Sequence, residues 1–158
     1  MFSTADLYDQ YESDVKVALP GFRDYGGRKR FYGPISTLKV YEDNSLVRAM
    51  LEEPGDNRVL VVDGGESMHC ALVGDKLAQL AMDNNWMGII VSGCIRDSQV
   101  IGGIDIGMKA LGTNPRKSVK RNTGERDVPV SFSGVLFTPG EFIYADEDGI
   151  LISARSLF

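Results

Sequence analysis

Two short apolar runs, Val59-Leu60-Val61-Val62 and Met87-Gly88-Ile89-Ile90-Val91, constrain this chain more than anything else in it. Both are rich in β-branched residues and lack polar alternation, the pattern of a strand covered on both faces. Asp63-Gly64-Gly65 ends the first with residues that tolerate turn conformations. Between the runs, Gly74-Asp75 opens a stretch in which Leu77, Leu80 and Ala81 share one helical face, closed by Asn84-Asn85. Strand, helix and strand need a crossover, so the pattern predicts a right-handed parallel βαβ unit. Ligands of such units gather at the carboxyl ends of the strands, where helix N-termini also point. Two polar clusters fall there: Gly74-Asp75-Lys76 at the helix start and Arg96-Asp97 after the second strand.

The rest of the chain reads around that unit. Ser3 or Thr4, with Asp6 in the first turn, caps a first helix whose buried face uses Leu7, Tyr8 and Tyr11. Residues 21–33 are glycine- and charge-rich, and Ile35 to Val40 succeeds them as a strand. Asp43 or Asn44 caps a short helix burying Leu46, Val47, Met50 and Leu51, which Pro54-Gly55-Asp56 stops. After Asp97 the pattern gives a short helix, a strand around Met108 to Leu111, and a basic loop from Gly112 to Arg126. Strands then occupy 128–132, 134–137, 142–145 and 150–153, separated by Ser133-Gly134, Pro139-Gly140 and Asp148-Gly149. The sum is one α/β domain, residues 1–158, with mixed sheets and no internal repeat.

Composition excludes several functions. With 22 acidic and 17 basic residues the formal charge is -5, which argues against a nucleic-acid surface. The exception is Arg116-Lys117-Ser118-Val119-Lys120-Arg121, readable as a solvated loop or as a contact for an anion or RNA. No apolar run reaches the ~18–20 residues of a membrane helix, and the acidic start of the chain does not resemble a secretory signal. The expectation is a cytoplasmic protein with no membrane partner. Cys70 and Cys94 make neither a disulfide framework nor a zinc site, and read as reduced, inert thiols. His69 is the only histidine, so no multi-histidine metal centre exists within one chain, and its neighbour Cys70 is poorly placed to be its nucleophile. Neither G-x-x-x-x-G-K-[ST] nor G-x-G-x-x-G occurs. Asp146-Glu147-Asp148-Gly149 is a tight turn lacking the twelve-residue calcium pattern.

The remaining chemistry sits in the two clusters. A helix start at Gly74-Asp75-Lys76-Leu77 offers unpaired amides and a positive dipole end to a carboxylate or phosphate, although every helix has such an end. In Arg96-Asp97 a forked cation adjoins a hard oxygen ligand. The cation suits an enolate or carboxylate and the carboxylate suits Mg²⁺ or Mn²⁺; the pair is equally that of a surface ion pair or turn.

Spacing distinguishes these parts: Asp75 and Arg96 are separated by twenty residues and Asp97 comes immediately after. With Gly74 before it, this D-x20-R-D arrangement resembles the signature of the class II 4-hydroxy-4-methyl-2-oxoglutarate / 4-carboxy-4-hydroxy-2-oxoadipate aldolases. That family also contains the regulators of ribonuclease activity A. The likeness extends through YGGRKRFYGPISTLKVYEDNSLV, RVLVVDGGES, GCIRD, IDIGMKALGTNPRKS and FSGVLFTPGEFIYADEDGI.

The resemblance implies a β/β/α swivelling, phosphohistidine-domain-like fold, assembled as a homotrimer or a dimer of trimers with sites between subunits. It implies Asp97 as the direct ligand of a divalent cation, Mg or Mn, with waters filling the other positions. Arg96 is implied to hold the 2-oxo oxygen and the pyruvate enolate. The amides of Gly74, Asp75, Lys76 and Leu77 are implied to cradle the pyruvyl carboxylate, and Asp75 to orient or activate a water on the metal. The family's aldolases often carry an acidic residue three positions after the metal aspartate; here Val100 stands there, with Asp105 nearby. Arg116, Lys117 and Glu141 are candidates, by charge alone, for groups lent to a neighbouring subunit.

The implied activity is cleavage of 4-hydroxy-4-methyl-2-oxoglutarate-like 2-oxo acids to pyruvate, with oxaloacetate decarboxylation alongside. The alternative is a non-catalytic regulator that binds and inhibits ribonuclease E. The regulators often lack the aspartate of the Arg-Asp pair, which tilts the reading toward an enzyme. A methyltransferase, an older label in the family, has no cofactor motif behind it.

Overall fold

The computed structural model describes residues 1–158. Its elements in order are α1 (Thr4–Tyr11), β1 (Val15–Val17), β2 (Arg23–Asp24), β3 (Phe31–Lys39), α2 (Ser45–Leu51), β4 (Val59–Asp63), β5 (Ala71–Val73), α3 (Asp75–Asp83) and β6 (Gly88–Ile95). Then come α4 (Ser98–Ile101), β7 (Gly107–Thr113), β8 (Glu125–Arg126), β9 (Val130–Phe132), β10 (Val135–Phe137), β11 (Phe142–Asp146) and β12 (Gly149–Ser153).

The nine-residue β3 joins two halves of one sheet system. Its first part, Phe31 to Pro34, pairs antiparallel with β11, which pairs in turn with β12 and β1. Its second part, Ile35 to Lys39, pairs parallel with Val59 to Asp63 of β4, and β4, β6 and β7 continue in parallel. The change of partner falls at Pro34, which has no N–H to give to a ladder on either side.

The predicted β4–β6 unit is present, with Val59 opposite Gly88 and Val62 opposite Val91. Its unbroken apolarity has a direct cause. Leu60, Val62, Ile89 and Val91 face a 21-residue core shared with Val47, Met50 and Leu51 of α2 and Leu77, Ala78 and Ala81 of α3. Val59, Val61 and Ile90 face the other way, into a 13-residue core with Ile143, Ala145, Ile150 and Ile152 of the antiparallel half and Val130, Phe132 and Phe137 of the β9–β10 hairpin. Helices, parallel strands and antiparallel strands therefore form the three layers of the expected mixed-sheet α/β fold. At about 1.5–3 kcal/mol per buried aliphatic side chain, the central strands anchor both interfaces at once. Phe31 fills the gap over Gly88 and Gly107, where a Cβ would come within 2.6 and 2.2 Å of its ring.

Several expectations change. Tyr8 is exposed, and only Thr4 and Leu7 of α1 are buried, although the Ser3 side chain accepts the Asp6 amide as a cap should. Asn44 caps α2 without a side-chain bond. The second apolar strand runs on to Ile95 with all eight positions buried. β1, β2, β5 and β8 leave no signal in the sequence because two or three residues hold no period; β8 closes the stretch expected to be a basic loop, and β5 runs into α3 with only Gly74 between them. No helix is long and apolar enough to cross a membrane.

Candidate active site

β5 is the element that assembles the site. β4 leaves β6 at the Asp63–Ser92 pair, and β5 takes its place along the outer end, pairing Ala71 with Cys94 and Val73 with Ile95. The two parallel strands end side by side. Gly74 and α3, at the end of β5, therefore lie beside Arg96 and Asp97, at the end of β6. The Arg96 amide donates to the Val73 carbonyl at 2.9 Å, and the Arg96 guanidinium to the Pro115 carbonyl at 3.3 Å.

Asp97 has a left-handed backbone, φ 58° and ψ 38°, a conformation Asp accepts more readily than most residues. It precedes α4 but makes no side-chain cap there; its Oδ2 instead accepts the Asp75 amide at 3.1 Å, reaching the start of α3. Gly74 leaves room for this, because a Cβ there would lie 2.9 Å from Asp97 Oδ2. Asp75 Oδ1 accepts the Lys76 amide at 2.9 Å. Two of the four amides in the implied carboxylate cradle therefore already meet the chain's own carboxylates. No turn, loop or cap hydrogen bond engages the amides of Gly74 or Leu77.

These residues border a cavity of about 180 Å³, below the ~300–1,000 Å³ usual for drug-sized ligands. Gly74, Asp75, Lys76, Leu77, Arg96 and Asp97 all line it, so the structure brings every residue of the sequence-derived set to one place. It also adds Asn44, the cap of α2, Arg48 of α2, and Lys117, Ser118 and Lys120 from the basic loop.

That loop is a fastened strap. The Ala71 amide donates to the Arg116 carbonyl at 2.8 Å, and Lys117 bridges Ala71 on the free side of β5. Ser118 Oγ accepts the Asn44 amide at 3.1 Å, and Lys120 Nζ donates to Asn44 Oδ1 at 2.9 Å. Asp43 clamps the far end, accepting the amides of Arg121 at 2.8 Å and Thr123 at 3.2 Å, the Thr123 hydroxyl at 3.0 Å, and the amide and hydroxyl of Ser45. Burial alone would raise its pKa, but these hydrogen bonds hold the carboxyl far below the usual carboxylate range. Lys117 thus reaches its own chain's cavity. Neither Arg116 nor Glu141 lines that cavity.

Other candidates are absorbed elsewhere. Asp105 forms a two-pronged pair with Arg28, both contacts at 3.0 Å, so it does not replace the acidic residue absent at the exposed Val100. His69 Nδ1 meets Glu42 Oε2 at 2.8 Å and makes no pair with Cys70. Burial raises the thiols of Cys70 and Cys94, in keeping with unreactive cysteines.

No group of three or more His, Cys, Asp or Glu converges anywhere, so a closed, all-protein metal cage does not fit. An exposed carboxylate with a single amide partner does fit a hard, largely hydrated dication such as Mg²⁺, which needs only one or two protein carboxylates.

A family model described as RraA-like, Aldolase/RraA, matches residues 4–152. A protein of Aromatoleum aromaticum named "Putative 4-hydroxy-4-methyl-2-oxoglutarate aldolase" is 61% identical over 156 residues, 99% of this chain and 98% of its own. The solved structure of the RNA-processing inhibitor RraA from Thermus thermophilis superposes with a TM-score of 0.96 at 43% identity, covering 100% of this chain and 96% of that one. A structure from Geobacillus kaustophilus HTA426, described as an S-adenosylmethionine: 2-dimethylmenaquinone methyltransferase, gives a TM-score of 0.95 at 48% identity, covering 99% and 97%.

Proposed function

The chain belongs to the RraA-like family, and on that premise we propose that it is a divalent-metal-dependent lyase. Its substrates are 4-hydroxy-4-methyl-2-oxoglutarate-like 2-oxo acids, cleaved to pyruvate, and it decarboxylates oxaloacetate in the same site. The supporting observation is the convergence of Arg96, Asp97 and the first turn of α3 on one small cavity.

Both reactions pass through one charge distribution. In the retro-aldol step the C4 hydroxyl loses its proton, the C3–C4 bond breaks, and its electron pair moves to the C2 oxygen, leaving a pyruvate enolate and a carbonyl product. In the decarboxylation the C3–C4 bond breaks, C4 leaves as carbon dioxide and the bonding pair moves to the C2 oxygen, giving the same enolate; a proton added at C3 completes either reaction. Arg96 is the donor for the C2 oxygen as it gains charge, its backbone held by Val73. The unengaged amides of Gly74 and Leu77 orient the C1 carboxylate, and Asp75 receives the C4 hydroxyl proton, directly or through one water. Asp97 would hold the dication, which would supply positive charge to stabilise the developing enolate.

Incubation with oxaloacetate and Mg²⁺ or Mn²⁺, with pyruvate coupled to lactate dehydrogenase, tests this. Metal-dependent pyruvate formation abolished by chelation is expected. No pyruvate above the metal-and-buffer background, or full activity in Asp97→Ala, overturns it. The same proposal takes the working unit as a homotrimer or dimer of trimers in the cytoplasm, checked by light scattering on the purified protein.

A second reading has its own support. The net charge of -5 suits a basic partner, and the Thermus relative is described as an RNA-processing inhibitor. Inhibition of ribonuclease E that survives Arg96→Ala would identify a regulator independent of catalysis. Methyl transfer gains nothing from the cavity, since five cationic side chains oppose the positively charged sulfonium of S-adenosylmethionine.

A further inference from the structure

Three sulfur-bearing residues gather at a place the proposed chemistry does not use. Cys94, fully buried in β6, stands opposite Ala71 of β5 on one side and Gly112 of β7 on the other, so small residues flank its thiol. Met68, in the loop leading into β5, fills the room this leaves: a Cβ on Gly112 would come within 2.8 Å of Met68 Cε and 3.9 Å of Cys94 Sγ. The Cys94 thiol donates to Met68 Sδ at 3.5 Å. A thioether lone pair therefore faces the thiol, with the proton between two sulfurs. The Asn114 side-chain amide donates to the Met68 carbonyl at 2.7 Å and ties that loop to the end of β7. Cys70, also buried, immediately precedes Ala71. Burial first, and then the charges of Glu42 and Cys94, push its thiol up, so the two thiols lie within reach of each other's charge. None of the three residues lines the cavity.

A raised thiol is a poor nucleophile, yet it remains a ligand, because a soft cation binds by displacing its proton. Thiolate and thioether donors select Cu⁺ over hard dications. The donor set points the same way. Two thiols with no third His, Cys, Asp or Glu cannot complete a tetrahedral zinc site, whereas two or three sulfurs satisfy Cu⁺. Sulfurs that share one cation through bonds of about 2.3 Å stand about 3.8–4.6 Å apart, from a tetrahedral to a linear angle. Met68 Sδ and Cys94 Sγ reach that range by parting about 0.3 Å, which the three rotatable bonds of a half-exposed Met68 allow. The same exposure gives the ion a way in from solvent.

We infer that Met68, Cys70 and Cys94 form a site for a single soft monovalent cation of the Cu⁺ class, separate from the hard-cation position proposed at Asp97. The ion takes the place of the Cys94 proton, bridging that sulfur to Met68, and Cys70 closes the set as a second thiolate. Both thiol protons pass to solvent, so binding tightens as pH rises. The site does not rest on the lyase reading and stands or falls without it.

Anaerobic titration of the full chain with Cu⁺, kept reduced by ascorbate and competed with bicinchoninate, tests the site. One Cu⁺ per chain is expected, held more tightly at about pH 8 than at about pH 6 and undisturbed by excess Mg²⁺. X-ray absorption of the loaded protein should show sulfur neighbours alone. Met68→Leu conserves volume at a half-exposed position, and Cys70→Ala removes one thiol. Each should weaken binding by about tenfold or more, since even partners outside the ligand set cost that much. Circular dichroism checks both for folding, and Met68→Leu alone suffices where Cys70→Ala does not fold. His69→Gln, which alters the exposed imidazole between these residues, should bind Cu⁺ as wild type does. Transfer of all Cu⁺ from wild type to bicinchoninate, unchanged retention in the folded variants, loss of binding in His69→Gln, or a shell of nitrogen and oxygen overturns the inference.

Discussion

Two aspartates near helix starts, Asp43 before α2 and Asp97 before α4, show what separates scaffold from site in this molecule. Asp43 is 2% exposed and accepts hydrogen bonds from five donors on Ser45, Arg121 and Thr123, tying the strap to the helix layer. Asp97 is exposed, strained into the left-handed region, and has one amide partner. A carboxylate whose lone pairs are all engaged is available only to the fold. A carboxylate held in an unusual backbone conformation with capacity to spare is the pattern found at functional positions. The two nonetheless cooperate, since Asp43 fastens the strap that carries Lys117 and Lys120 to the cavity.

The contrast predicts opposite responses to the same substitution. Asp97→Ala is expected to lower the metal-dependent rate by about 10²–10³-fold, the cost of losing one electrostatic partner of a developing charge. Its thermal midpoint should move by no more than about 4 °C. Steady-state kinetics and a thermal melt on the same sample check both halves. Asp43→Ala should reverse the pattern: loss of about 3 kcal/mol of stability from stranded donors, hence a midpoint lowered by roughly 6–12 °C. A stable, fully active Asp43→Ala protein would show that the clasp carries no weight.

The sequence made one member of this pair legible and concealed the other. Asp97 is legible because Arg96-Asp97 closely follows the period-free apolar run Met87 to Val91, and strand ends are where parallel units place ligands. Gly74 and Asp75 were visible for the same reason, at the start of a periodic helix. From sequence Asp43 is no more than a possible cap, because its donors at Arg121 and Thr123 lie about eighty positions away in a glycine-bearing loop with no regular pattern. The strap's route to the cavity was hidden likewise. It depends on β5, three residues long, whose free side accepts Lys117 in a single bridge that no periodicity announces. Cover on both faces of β4 is legible because Val59 to Val62 are apolar without alternation, whereas the β/β/α layering is implied only by the family resemblance. β1 and β2 are too short to register against their charged surroundings.

A smaller effect sharpens the comparison at the rim itself. In Gly74→Ala the new methyl would stand 2.9 Å from Asp97 Oδ2 and 3.6 Å from the Arg96 side chain, so the carboxylate must give way. Stability should change little, because the displaced group is exposed, but catalysis should fall by roughly tenfold, within the penalty for ångström-scale misplacement. Weakened Mg²⁺ binding measured by calorimetry would trace the loss to Asp97; unchanged metal affinity and rate would mean that the close approach is without consequence.

The smallest effect concerns pH and belongs to Asp43. Its folded pKa lies below the unfolded carboxylate value of about 3.9, so folding favours its ionised form. The stabilisation this provides is fully present above roughly pH 5 and is lost progressively as pH falls through the unfolded value toward the folded one. Asp105, Asp146 and Glu42 are also lowered and share the acid limb of the wild-type curve. The difference curve against Asp43→Asn isolates the one residue. The variant keeps an acceptor oxygen but has no proton to release, so its stability deficit should be constant from about pH 5 to 7 and narrow below about pH 4. Urea midpoints at half-unit steps measure that gap. A deficit that stays constant down to about pH 2.5 would mean that the clasp depends on hydrogen-bond geometry alone, with no contribution from the charge.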